Sequence, residues 1–135
     1  MRILVDTGPL VAIVSPKDQY HELCAKTLGN LPAPLLTCWP VIAEAAWLLR
    51  QSPLGFERLL GSFKDGFLEI LPVRSLESEA IVEILKKYAN LRPEFADAML
   101  VHLAHRENID AIFTLDRRDF SVYRTARNKP FRLFP

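Results

Sequence analysis

Short apolar runs, spaced by longer stretches with a helical apolar period, constrain this chain most. Residues 2–6, Leu35-Leu36-Thr37, residues 67–71 and residues 111–114 are brief, rich in Leu, Ile, Val and Phe, and bounded by Gly, Pro or polar residues. That is how buried strands read. Phe131-Arg132-Leu133 predicts a small last strand. Between them, Pro9 opens a short helix over 10–14, and Asp18 caps one over 19–28 with Tyr20, Leu23, Cys24, Thr27 and Leu28 inward. Pro40 starts a helix to about Arg50 that is apolar nearly all round, so it is either central or covered by a partner. A helix over 54–64 places Phe56, Leu59, Leu60 and Phe63 on one side. Ser75 caps a helix over 76–88, and Pro93 precedes one over 95–108. Strands alternating with helices predict a single domain over 1–135, a three-layer α/β/α sandwich with a mainly parallel central sheet. The pattern does not order the strands.

Acids interrupt this framework where charge is expensive. Asp6 ends Ile3-Leu4-Val5, and Asp116 follows residues 111–115. Glu44 lies inside the apolar helix from Pro40, and Asp97 in the first turn of its helix. Functional groups of open parallel sheets gather beyond the carboxyl ends of the strands, an edge that the first turns of crossover helices share. At about 100° per residue, Asp97 shares a face with Val101 and Ala104, and Glu44 with Val41 and Leu48. Both therefore point inward. His102 lies roughly 140° from Asp97 and reads as a packed or solvent-edge histidine. Each acid also has a purely structural explanation: Asp6 and Asp116 as helix caps, Asp97 as a helix-start acid favoured by the dipole, Glu44 as half of a buried pair with an Arg. As a group they predict one shared cation site. Clustered carboxylates raise one another's pKa, and a hard divalent cation resolves the repulsion. Metal-assisted phosphodiester hydrolysis is the chemistry such a site offers, with no nucleophilic triad. Thr7 and Thr114 flank the acids and either orient a ligand or cap turns.

Composition narrows the field further. The chain has 135 residues, with 2 cysteines and 3 histidines, which builds neither a disulfide framework nor a zinc site. No apolar run reaches the length of a membrane span, and no signal-peptide pattern precedes the first strand, so the expected location is cytoplasmic. Charge is uneven: Arg117, Arg118, Arg124, Arg127, Lys129 and Arg132 crowd the last stretch, whereas the preceding residues are net acidic. Arg92, Arg117 and Arg118 are candidate phosphate contacts for a polyanion; a solvated basic end is the plain alternative. A haloacid-dehalogenase-type phosphatase needs an Asp where this chain has Gly8. Dinucleotide binding fails because Gly8 has no glycine-rich loop around it. No acidic pair and late lysine support a receiver domain.

The order of these pieces resembles the PIN domain family, specifically its VapC-like toxins. Ile3-Leu4-Val5-Asp6-Thr7-Gly8 is similar to the opening strand and first acid, and Glu44 to the second. Phe95-Ala96-Asp97-Ala98-Met99-Leu100-Val101 resembles the third-acid helix. Ile112 to Phe120 resembles the Thr-x-Asp-x-x-Asp-Phe stretch, with the fourth acid at Asp116. The resemblance implies an endoribonuclease dependent on Mg²⁺ or Mn²⁺ that leaves 5′-phosphate and 3′-hydroxyl ends. It implies Asp6 and Asp97 as core metal ligands, completed by Glu44 and Asp116, with Asp119 peripheral and Thr114 positioning. It also implies a homodimer silenced by a cognate antitoxin. An RNA-processing nuclease without an antitoxin, or a non-catalytic RNA- or protein-binding scaffold, stay open as alternatives.

Overall fold

The computed structural model describes residues 1–135. Its centre is a five-stranded, all-parallel sheet in the order β3-β2-β1-β4-β5. The strands are β1 (Leu4–Val5), β2 (Leu35–Thr37), β3 (Leu68–Ile70), β4 (Ala111–Phe113) and β5 (Arg132–Phe134). Every residue of β1, β2 and β4 is buried, as expected where helices cover both faces of a parallel sheet. The sandwich is thus the three-layer one anticipated. The edge strands carry exposed charges, Glu69 on β3 and Arg132 on β5, which discourage pairing with a further strand.

The helices are α1 (Thr7–Val14), α2 (His21–Leu28), α3 (Trp39–Leu48), α4 (Pro53–Lys64), α5 (Ser78–Lys87), α6 (Phe95–Glu107) and the one-turn α7 (Arg117–Phe120). α1 packs on α2, α3 and α4, while α6 packs on α5 and α3. α6 is the central helix: Ala96, Ala98 to Ala104 are buried without a break. Fully burying a side chain such as Leu100 or Leu103 contributes about 1.5–3 kcal/mol, so this helix anchors the acids at its start. No helix is long and apolar enough to cross a membrane.

Three local expectations are corrected. The second helix starts at His21: Asp18 Oδ1 accepts from the Tyr20 N–H at 2.8 Å, in a turn before the helix. Of its expected inward residues only Cys24 is buried, and Tyr20 and Leu23 are exposed, because the helix is short and packs mainly on α1. Ser75 caps no helix; it opens a 3₁₀ turn, Ser75–Glu77, before α5. Glu77 instead gathers the Arg74 N–H at 2.8 Å, His102 Nε2 at 2.7 Å and Arg106 Nη1 at 2.8 Å. These bonds hold the Glu77 carboxyl down at about 2. His102 is thereby a packed, satisfied histidine, as its helical angle predicts.

The order of strands sets the site. From β1 the chain moves outward through β2 to β3, then returns to the other side of β1 for β4 and β5. The topological switch therefore lies between β1 and β4, where a crevice opens beyond the carboxyl ends of the two strands. Asp6 leaves β1 there, its N–H donating to Phe113 O at 2.9 Å, and Thr114 to Asp116 leave β4 beside it.

Candidate active site

Asp6 is the floor of the crevice. Its Oδ1 accepts from the Thr7 N–H at 2.8 Å, capping α1, and its Oδ2 accepts from the Thr114 hydroxyl at 2.8 Å. The Thr114 oxygen in turn accepts from the Asp116 N–H at 3.0 Å. One threonine thus ties the ends of β1 and β4 together. Burial pushes the Asp6 pKa up, opposed by those two hydrogen bonds and reinforced by the charges of Asp116 and Glu94. The capping and site readings of Asp6 coexist. The same holds for Asp116, whose Oδ1 accepts from the Asp119 N–H at 3.1 Å at the start of α7.

Asp97 enters from the first turn of α6 and Glu44 from α3. With Asp6, Asp116 and Asp119 they line one open pocket of about 400 Å³. All four acids singled out from sequence converge. Carboxylate oxygens of Asp97, Asp116 and Asp119 lie within 4.8 Å of one another. Asp119, peripheral by resemblance, therefore stands in the tightest trio, because the single turn of α7 folds it back over Asp116. None of these acids is ion-paired, so Glu44 is not half of an Arg pair. Burial, then the neighbouring Asp6 charge, pushes Asp97 up to about 7. Burial, then a hydrogen bond and charge from Glu94, pushes Glu44 up to about 7.

The other candidates separate. Arg92 lines the pocket from a left-handed backbone conformation, φ 50°, ahead of Pro93. That conformation costs a non-glycine residue about 1–2 kcal/mol and turns the chain into α6 with a cation at the rim. Arg117 and Arg118 are exposed and do not line the pocket; Arg117 donates to the Pro135 carbonyl. Thr7 is buried, its hydroxyl 3.4 Å from Val41 O, and does not line the pocket either.

Two residues escaped the sequence reading. Glu94 lines the pocket and raises Asp6, Glu44 and Asp97. Its position gave a signal: an acid at the start of the helix, one turn before Asp97. Tyr123 gave none, being a lone tyrosine beyond α7. It is fully buried, its ring set edge-on to Tyr88 and Phe120 at 4.9 and 5.0 Å, and its hydroxyl donates to Asp97 Oδ2 at 3.2 Å. That bond favours the charged Asp97, so Tyr123→Phe is expected to raise the Asp97 pKa further and to cost about 1 kcal/mol of stability. The acid limb of a pH–rate profile would move to higher pH; an unmoved limb would show that the hydroxyl does not tune Asp97.

The donor set is all oxygen, clustered, and without internal cations in salt bridges, which fits a hard divalent ion. Residues 3–126 match the family model described as PIN domain. The chain belongs to the PIN domain family. This PIN domain is 28% identical to Ribonuclease VapC26 of Mycobacterium tuberculosis, over 98% of this chain and all of that one. Among solved structures it resembles Mycobacterium tuberculosis VapC20, described as a sarcin-ricin loop cleaving toxin. The TM-score is 0.73 and the identity 18%, over 86% of this chain and 91% of that one. The VapC20 likeness is one of fold; the VapC26 likeness runs the length of the sequence.

Proposed function

We propose that this PIN domain is a divalent-metal-dependent endoribonuclease acting as the toxin of a toxin–antitoxin pair. The observation that carries the reading is the pocket of unpaired carboxylates at the β1/β4 switch point, in a chain aligned end to end with a VapC ribonuclease. Asp97, Asp116 and Asp119 would hold Mg²⁺ or Mn²⁺, with Asp6 and Glu44 completing the pocket. Bound there, the ion supplies a lowered pKa for water and offsets charge on the phosphoryl group. The chain's own residues do the rest. Thr114 fixes the rotamer of Asp6, and Tyr123 that of Asp97. Arg92 takes a phosphate oxygen of the RNA. Glu44, its carboxyl pushed up to about 7, is the group that accepts a proton from water or returns one to the leaving oxygen near neutral pH. Water oxygen bonds to phosphorus, the bond to the 3′ oxygen breaks, and the products are a 5′-phosphate and a 3′-hydroxyl.

A silencing antitoxin and a second copy of the chain are further parts of the proposal. Trp47, Leu48 and Leu54 on α3 and α4 are 64%, 52% and 58% exposed, which suits an apolar partner surface. The deciding experiment maps cleavage ends on total cellular RNA treated with the purified protein. Discrete 5′-phosphate ends that require Mg²⁺ or Mn²⁺ are expected. No cleavage with either ion, or equal cleavage in chelator, would overturn the reading.

A further inference from the structure

An apolar groove of about 530 Å³ adjoins the acid pocket. Its walls are Trp39 and Phe95, the first residues of α3 and α6, exposed by 59% and 56%. Ala43 and Ala96 keep the space between them open. Glu44 and Glu94 line both the groove and the acid pocket, so the two are continuous. We infer that this groove seats the nucleobase next to the scissile phosphate of a single-stranded RNA, stacked against Trp39 and Phe95.

The inference rests on the ribonuclease reading and adds a base-binding subsite to it. Because Glu44 and Glu94 line both spaces, a strand with a phosphate at the acids reaches the groove with its neighbouring nucleotide by crossing that shared rim. Unstacked bases of single strands are held on aromatic faces, and two such faces stand at that rim. Charge decides which part of the nucleotide enters. The two carboxylates repel phosphate but accept hydrogen bonds from an exocyclic amine, which adenine, cytosine and guanine have and uracil lacks. They equally disfavour an apolar peptide, which would bury them without donors. Trp39 is braced from behind by Phe63, ring centroids 5.8 Å apart at 47°. Both aromatics start helices whose next turns are buried through Val41, Ile42, Ala98 and Met99. The backbone beneath both rings is therefore fixed before RNA arrives, and Phe63 limits the Trp39 ring.

Trp39 and Trp47 are the only tryptophans, so Trp47→Phe leaves Trp39 as the fluorescent reporter. A short single-stranded oligoribonucleotide of adenines should quench it saturably. The same length of uridines should quench less, and an abasic strand or a duplex should not. On a cleavable substrate, Trp39→Ala should raise KM about tenfold, within the range of one lost base stack, with kcat changing far less and Trp39→Phe restoring most of the loss. An unchanged KM, or quenching equally by the abasic strand, overturns the subsite. So does a change in sedimentation of Trp39→Ala with KM unchanged, which would make the groove a protein contact. If the wild type cleaves no RNA, the ribonuclease reading falls, and base-dependent quenching still decides the subsite by its presence or absence.

Discussion

Asp6→Asn is expected to reduce RNA cleavage by on the order of a hundredfold or more while leaving the fold intact. The substitution keeps volume and an oxygen to accept from the Thr7 N–H, the bond that caps α1 at 2.8 Å. It removes one negative charge from a pocket where burial and like charges already oppose ionisation. Loss of a group that binds or orients a metal costs tenfold to hundredfold even at one remove. Without added metal, the variant should melt at or above the wild-type temperature, since an uncompensated buried charge is gone. Cleavage and melting measured together separate site from scaffold. Undiminished cleavage would refute the role of Asp6, and a collapsed melting temperature would make it structural.

The metal-free protein should be more stable at pH 5 than at pH 8. Asp97 and Glu44 are both pushed up to about 7, from ordinary values of 3.8 and 4.5. Between the ordinary and the raised values the folded chain binds more protons than the unfolded one, so stability falls as pH rises through that window and levels off above it. Allowing for solvent screening of these partly exposed groups, the loss is on the order of 2 kcal/mol. Millimolar Mg²⁺ should reverse it, raising the melting temperature at pH 8 much more than at pH 5, because the ion competes with protons for the same oxygens. A thermal-shift series across pH, with and without Mg²⁺, reads both effects. A profile that is flat in pH and indifferent to Mg²⁺ would mean that the acids neither repel one another nor share an ion.

Much of this was legible one residue at a time. Asp6, Glu44, Asp97 and Asp116 stood out because each breaks an apolar pattern, and burial of the flanking residues depends on that pattern. The helix starts expected at Pro40 and Leu54 fell within one residue of the observed Trp39 and Pro53, because proline fixes the backbone torsion of a first turn. The boundary at His21 was not, since Asp18 bonds within its turn rather than to the helix. Tyr123 left no local trace: its hydroxyl reaches Asp97 only because Phe120 and Tyr88 pack around its ring.

The sequence by itself determined that strands and helices alternate, that the sheet is mainly parallel, and that four acids sit at its carboxyl edge. Periodicity and the cost of burying charge suffice for that. Tertiary structure decided which acids are neighbours. The return of the chain from β3 to the far side of β1 opens the crevice at β1 and β4. The turn of α7 brings Asp119 into the trio with Asp97 and Asp116, and the starts of α3 and α6 bring Glu44 to Glu94 and Trp39 to Phe95. Such distances depend on strand order and helix packing between residues far apart in the chain, and no local pattern carries them.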